Sequence, residues 1–391
     1  GAFIKNIDSA QLRYKLEYTQ RKDLLPEFTQ LSSASLSNNF NASTDFTQKN
    51  GNRFSGSVTY REFTVNKQTA SALKPERTIL ARVEYDYAFN KRVFVANTFY
   101  QIGSGQELRR DFQFVEVLVG QGQYVWKDFN KDGTQQLNEF VLAGFADKPQ
   151  ANYIKVFLPS NSFISTHINQ FNQTLNINPA AVWSNKKGVK KIISKFSNLS
   201  ALKLDRKTQR LNTASFLNPF LLNVNDTSLI SLNSLLRNTV FFNRSNPTFG
   251  ADYTYQNQRS KLLLTTGFES RTRAEHGLNI RWNATNSWSI LGNASTGNRF
   301  YASDFFSANN YNYTFFEVKP RISYQLNNQV RLTVLYGYFE GRNAKLLGNQ
   351  LAKSNELGAE LRLSLTKQGV INGKLSNYQI TFDGEAQSQL G

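Results

Sequence analysis

In the stretch WKDFNKDGTQQLNEF, residues 126–140, oxygen-bearing side chains recur at a spacing that can wrap around one cation. Asp128, Asn130 and Asp132 stand at the first, third and fifth places of the loop, Gly133 at the sixth and Glu139 at the twelfth. This is the spacing with which a calcium ion collects its six to eight oxygens, at about 2.3–2.6 Å each. Asp128, Asn130 and Asp132 would give side-chain oxygens, and Thr134 its carbonyl. Gln136 would act directly or through water, and Glu139 with both carboxylate oxygens. Gly133 permits the sharp bend that lets the two halves converge.

Calcium loops of this kind ordinarily sit between two helices. Here the upstream run FQFVEVLVGQGQYVWKD alternates like a strand. Downstream, NEFVLAGFAD leaves room for only a turn or two of helix before Pro149. No second loop of this pattern occurs in the sequence, whereas regulatory loops usually pair. The expectation is therefore a structural staple, not a sensor. It would hold a long segment, residues 104–170 with the loop at 128–139, in one shape.

The elements around it read as strands. Ile79, Ala81, Val83, Tyr85, Tyr87 and Phe89 alternate with Leu80, Arg82, Glu84 and Asp86. Leu357, Ala359, Leu361, Leu363 and Leu365 alternate with Gly358, Glu360, Arg362, Ser364 and Thr366. Successive strand residues point to opposite faces, so one face is apolar and the other charged. Short polar turns separate these runs, at Asn90-Lys91, Asn283 to Asn286, Asn327-Asn328, KNGN and KQG. Asn suits them because it tolerates positive φ and bonds nearby backbone.

Alternation alone also fits a soluble sandwich. Three features favour an antiparallel up-and-down transmembrane β-barrel instead. The runs reach bilayer-crossing length, the connections alternate short and long, and aromatics gather at strand ends. About 15 strands are expected, with long outer loops near 22–37, 66–77, 104–170, 206–247 and 300–311. The odd count predicts an incomplete barrel, completed by another chain or a missing segment. No apolar run of about 18 residues is present, so no transmembrane helix is encoded. The chain opens on Gly1 with no signal peptide and contains no Met, which reads as a trimmed end of something longer.

Cysteine is absent, which excludes disulfides and thiol metal sites. The net charge of +18 fits nucleic acid, an anionic membrane surface or a charged lumen. The basic residues recur singly inside strands, on the face opposite the aromatics, whereas a single-stranded nucleic-acid groove sets the two together. Nucleic acid is thus not an expected partner; outer-membrane lipid or lipopolysaccharide is. Arg82, Glu84, Asp86, Arg281, Lys319, Arg321, Arg331, Glu360 and Arg362 would line the lumen, as mutually paired charges or as a basic passage.

Catalysis has little support. His167 and His276 stand far apart, and although Ser165 precedes His167 at a same-face spacing, no nucleophile motif accompanies them. Gly103, Gly105, Gly120 and Gly122 read as bulge or turn glycines, not as a phosphate loop.

YVWKDFNKDGTQQLNEF, followed by ANYIKVFLPSNSFISTHINQFNQTL, resembles a stretch of very large surface proteins of the Bacteroidota. The specific part covers about residues 124–175. The resemblance implies a C-terminal outer-membrane barrel interrupted by a calcium-type loop and preceded by a large N-terminal part. The expected function is thus an outer-membrane barrel segment serving surface display, passage or a transport or secretion assembly, not an enzyme. The alternative is a soluble, extracellular, calcium-binding all-β adhesin.

Overall fold

The computed structural model describes residues 1–7, 10–27, 30–65, 75–144, 147–209, 216–221, 228–264, 267–304, 306–365 and 369–384. Within them the chain is strand almost throughout. It opens with β1 (Ala2–Lys5), β2 (Leu12–Glu27), β3 (Gln30–Thr47), β4 (Arg53–Val65), β5 (Glu76–Phe89) and β6 (Phe94–Glu116). Two short strands, β7 (Tyr124–Trp126) and β8 (Phe140–Leu142), precede β9 (Tyr153–Ile177). Helices α1 (Ala180–Trp183) and α2 (Val189–Ile193) lead to β10 (Phe196–Thr208), β11 (Leu229–Phe242), β12 (Phe249–Leu264) and β13 (Gly267–Asn283). The rest is β14 (Trp288–Ser303), β15 (Tyr311–Val318), β16 (Arg321–Gln325), β17 (Val330–Asn343), β18 (Leu351–Leu365) and β19 (Gly369–Asp383). No described helix is long and apolar enough to cross a membrane.

Two compact units are present. In the first, residues 1–109, 161–177 and 200–234, strands β1 to β6 each run antiparallel to the next. In the second, residues 110–160, 178–199 and 235–391, the same meander runs from β12 to β19. β15 and β16 both pair with β14 and with β17, so they are two parts of one arm. The arm breaks at Lys319-Pro320, where proline has no N–H to give the ladder. With these joined, and the three segments of four residues or fewer set aside, fifteen long strands remain among the described residues. The architecture is all-β, antiparallel and up-and-down, as the alternation predicts.

The turns follow the expected chemistry. Asn90, Lys91 and Arg92 all take positive φ between β5 and β6. The Asn327 side-chain oxygen accepts from the N–H groups of Gln329 and Val330, at 2.9 Å each, between β16 and β17. Thr285 does the same for Ser287 and Trp288 before β14.

Burial is inverted relative to a water-soluble sheet. Ile322 is 43% exposed, whereas its neighbour Ser323 is 3% exposed. On β17, Leu332, Val334 and Tyr336 are exposed while Thr333 is buried. β2, β5, β13 and β18 also leave large apolar side chains outside, among them Leu16, Val83, Ile280 and Leu357. The register lines these residues up: Leu332 faces Leu361 and Tyr336 faces Leu357 across the ladder. One conventional core stands apart from this pattern. In the second unit Phe112, Leu264 and Phe306 are buried together, with Phe114, Leu137 and Leu262 packed on them.

Several expected loops are strand instead. Residues 22–37 belong mostly to β2 and β3, which pair out to Glu27 and Gln30 past a bulge at Asp23/Leu24. The polar run SSASLSNN hides this from a hydrophobic pattern, because backbone hydrogen bonds, not apolar alternation, hold it. Likewise the segment 104–170 shortens, since β6 continues to Glu116 and β9 begins at Tyr153. Within 206–247, β11 spans Leu229–Phe242. Residues 66–74, most of the expected loop 66–77, lie outside the described residues.

Gly103 and Gly105 lie within β6, not at a turn, whereas Gly120 has φ +84° and fits the turn reading. Gly122 marks a close approach: it donates to the Ala151 carbonyl at 2.9 Å, and a Cβ there would stand 2.4 Å from the Tyr153 nitrogen. Gly122→Ala is therefore expected to lower the melting temperature by forcing these backbones apart. Gly144→Ala, where a Cβ would meet nothing within 4 Å, should leave it nearly unchanged.

Candidate metal centre

Three-residue strands create this site. β7 and β8 pair in register, Tyr124 with Leu142, Val125 with Val141 and Trp126 with Phe140. The Lys127 N–H extends the ladder to the Glu139 carbonyl at 2.8 Å. The loop thus hangs from a hairpin. The helical turn expected downstream is a correction: Leu137–Glu139 is a single 3-10 turn, and Phe140–Leu142 is strand because it closes on Tyr124–Trp126.

Inside the loop, each side chain bonds the backbone two or more residues on. Asp128 accepts from Gly133 N–H at 2.9 Å, Asn130 from Asp132 N–H at 3.0 Å, and Asp132 from Thr134 N–H at 2.7 Å. These successive turns need left-handed backbone at Lys131 (φ 60°) and Gly133 (φ 71°), which glycine supplies without strain. The Thr134 N–H also holds the Asp132 carboxyl below its ordinary pKa, helped by the amides of Asn130 and Gln136.

Carboxylate oxygens of Asp128, Asp132 and Glu139 converge to within 4.8 Å of one another. Two oxygens that bind one calcium ion from opposite sides stand about 5 Å apart, so the span is right. Glu139 is 1% exposed, with Oε2 accepting from Trp126 Nε1 at 2.9 Å and from the Gln136 N–H at 3.2 Å. Asp128 Oδ1 is buried with no hydrogen-bond partner. Among the described residues no lysine or arginine pairs with these three acids, and Lys127 turns instead to Asp147 at 2.9 Å. Two carboxylates at this separation repel by about 3–4 kcal/mol at an effective dielectric near 20. An orphaned buried oxygen and three unneutralised acids fit a hard divalent cation. Asn130 and Gln136 presently spend their amide N–H groups on Asp132, at 2.8 and 2.7 Å. They and Thr134 border the same loop, while the convergence itself is of the three acids.

Sequence reasoning missed what lies beneath. Phe114 stacks on Phe140 at 4.3 Å and meets Tyr124 edge-on at 4.9 Å, while Phe140 meets Tyr153 at 4.9 Å. Phe114 also reaches Phe306 at 6.4 Å, in the connection after β14. Lys155 lies 3.9 Å from the Phe112 ring centroid and 3.5 Å from Glu269. Leu137, between two expected ligands, packs on the same core. The phenylalanine-rich run FQF before the loop carried this signal, but not its partner in the chain.

The other singled-out residues do not assemble. His167 Nδ1 is buried without a hydrogen-bond partner and its ring meets Phe216 at 4.7 Å, with no bond from Ser165. His276 Nδ1 bonds the Tyr253 hydroxyl at 2.6 Å, and its ring lies against Tyr255. On the charged faces Arg82 pairs with Glu84, Lys319 with Glu317, and Lys374 with Glu360. Arg281 donates to the Asn246 carbonyl at 2.7 Å, and Asp86 accepts from Asn97.

No family model matches the chain, and no curated protein does. Among solved structures, the trimeric in-vitro folded outer membrane protein OmpT of Vibrio cholerae is 10% identical, covering 97% of this chain and 98% of that one, with a TM-score of 0.27. OmpT expressed in the outer membrane of the same organism is 9% identical, covering 96% and 98%, also at 0.27. At that TM-score the likeness carries no argument about fold or activity.

Two measurements follow from the geometry. Calcium should raise the melting temperature, by an amount equivalent to about 2.7 kcal/mol at a hundredfold excess over the dissociation constant. Asp128→Ala or Glu139→Ala should remove that rise. Phe140→Ala, which empties the core under the loop, is expected to destabilise by about 3–5 kcal/mol with or without calcium.

Proposed function

We propose that this chain is an outer-membrane β-barrel region of a large bacterial cell-surface protein, with its longest outer connection stapled by calcium. The observation that carries the reading is the inverted burial. Large apolar side chains such as Leu332, Val334 and Leu357 stand outside while Ser323, Thr333 and Thr239 are enclosed. A soluble sheet hides its apolar face, and contiguous exposed apolar surface marks a membrane or partner contact. Strand lengths support a bilayer as the apolar partner. A crossing takes about 9–11 tilted residues, and the 15 residues of β18 span that with some to spare. Trp282 and Trp288, both exposed beside the short turn at 284–287, suit one interfacial girdle.

On this reading the short turns face the periplasm and the loop at 128–139 faces the exterior. Calcium clamps residues 117–152 over the aromatic core; the work is surface display, passage or support of a transport assembly, with no chemistry on a substrate. A large N-terminal part, as the resemblance implies, would share that work.

The reading makes a depth-dependent claim. Leu357 lies in the middle of β18 on the apolar face, so Leu357→Arg should destabilise the protein reconstituted in lipid by about 2–4 kcal/mol. Ser376→Arg, on the opposite face beside Gly358, should cost far less. A chain that stays monodisperse and folded in plain buffer, with Leu357→Arg neutral, would favour the soluble adhesin instead.

A further inference from the structure

We infer that the polar face of β16 to β19 carries a binding site for an oxyanion, either free phosphate or the phosphate of a monoester. At several charged positions of this sheet a cation has an acid beside it: Lys15 has Glu17, Arg53 has Asp45, Arg77 has Glu62 and Arg273 has Glu275. Between β16 and β19 several cations gather without that balance. A cavity of about 440 Å³ is lined by Arg321, Arg331, Arg362, Lys374 and a single acid, Glu360. Glu360 is already engaged by Lys374 at 3.6 Å. Three arginines are left with no carboxylate.

Their register makes the imbalance costly. Arg331 and Arg362 are direct cross-strand partners on β17 and β18. Like charges placed directly opposite destabilise a ladder, where an opposite pair would stabilise it. Arg331 has one weak contact, Nη2 to Ser323 Oγ at 3.3 Å, and Arg321 and Arg362 have no hydrogen-bond partner among the described residues. The cavity floor adds two buried hydroxyls, Ser323 and Thr333, bonded to each other at 2.9 Å. Guanidinium forks with hydroxyl donors behind them suit a tetrahedral oxyanion, which can accept several charge-assisted hydrogen bonds at once. Chloride, with no fixed lone-pair geometry, would gain less from them. The inference stands on these four strands alone and holds whatever covers their apolar face.

The test is calorimetric titration of inorganic phosphate into the full chain, in the medium that keeps it folded and at constant ionic strength. Saturable binding is expected. Arg331→Gln and Arg362→Gln should each weaken it by about tenfold or more, the loss of a charge-assisted pair of bonds. Asp128→Ala should leave it unchanged. Glucose 6-phosphate binding where glucose does not would assign the monoester; phosphate alone binding would assign the free anion. Arg362→Glu provides a check that does not depend on a ligand. It should pair with Arg331, raise the melting temperature in phosphate-free buffer and abolish phosphate binding. Unsaturable heats, affinity in the two Gln variants equal to that of the unaltered chain, or a lower melting temperature for Arg362→Glu would each overturn the site.

Discussion

The structure depends on the backbone ladder, because many of its large apolar side chains stand exposed on the sheet and pack into no core. Strands such as β12, β13 and β14 pair along nearly their whole lengths, Phe249 to Leu264 against Gly267 to Trp282 and onward. In β13, flanked on both sides, nearly every residue has a partner across the ladder. That satisfaction is what an apolar surrounding demands, since an unpaired backbone group there costs several kcal/mol. It also frees the outward side chains from any packing duty within the molecule. Leu375 can be 79% exposed in the middle of β19 without disturbing its neighbours.

The segment around the acidic loop obeys the opposite rule. Here a buried cluster of phenylalanines does what the ladder does elsewhere, and the loop is built as its cover. Leu137 reaches down into the cluster while Glu139, two residues on, turns to Trp126 and the other acids. A cation there would tie the polar rim, and the aromatic rings tie the base. The two are independent in chemistry but share the β7–β8 hairpin, so a bound cation would raise the persistence of both.

Much of this was legible in the sequence, for identifiable reasons. The period-two pattern from Leu357 to Leu365 announces its strand because an apolar residue stands at every second position, with Gly358, Glu360, Arg362 and Ser364 between. The acids were legible because a turn-rich loop fixes its own geometry locally: Asp128, Asp132 and Glu139 do converge. The Trp126–Glu139 bond was not, since it follows from the closure of β7 on β8, a pairing across thirteen residues. The polar halves of β2 and β3 were missed because Ser and Asn carry no face preference that a pattern can detect. The helical hairpin α1–α2 had a signal that went unread: Pro179 before its first helix, Gly188 before its second, and Val189, Ile192 and Ile193 at helical spacing.

The electrostatics of the two faces follow from the same division. A chain of net charge +18 places three uncompensated acids at one point and three uncompensated arginines at another. Both groups sit where backbone geometry holds the side chains together, in one case by consecutive turns and in the other by cross-strand register. Holding like charges together costs free energy in the empty fold, and a bound ion of opposite sign is the ordinary way to recover it. With calcium proposed for one and an oxyanion for the other, the acidic loop and the arginine wall would be the same physical device with its sign reversed, one built on a turn and the other on a sheet.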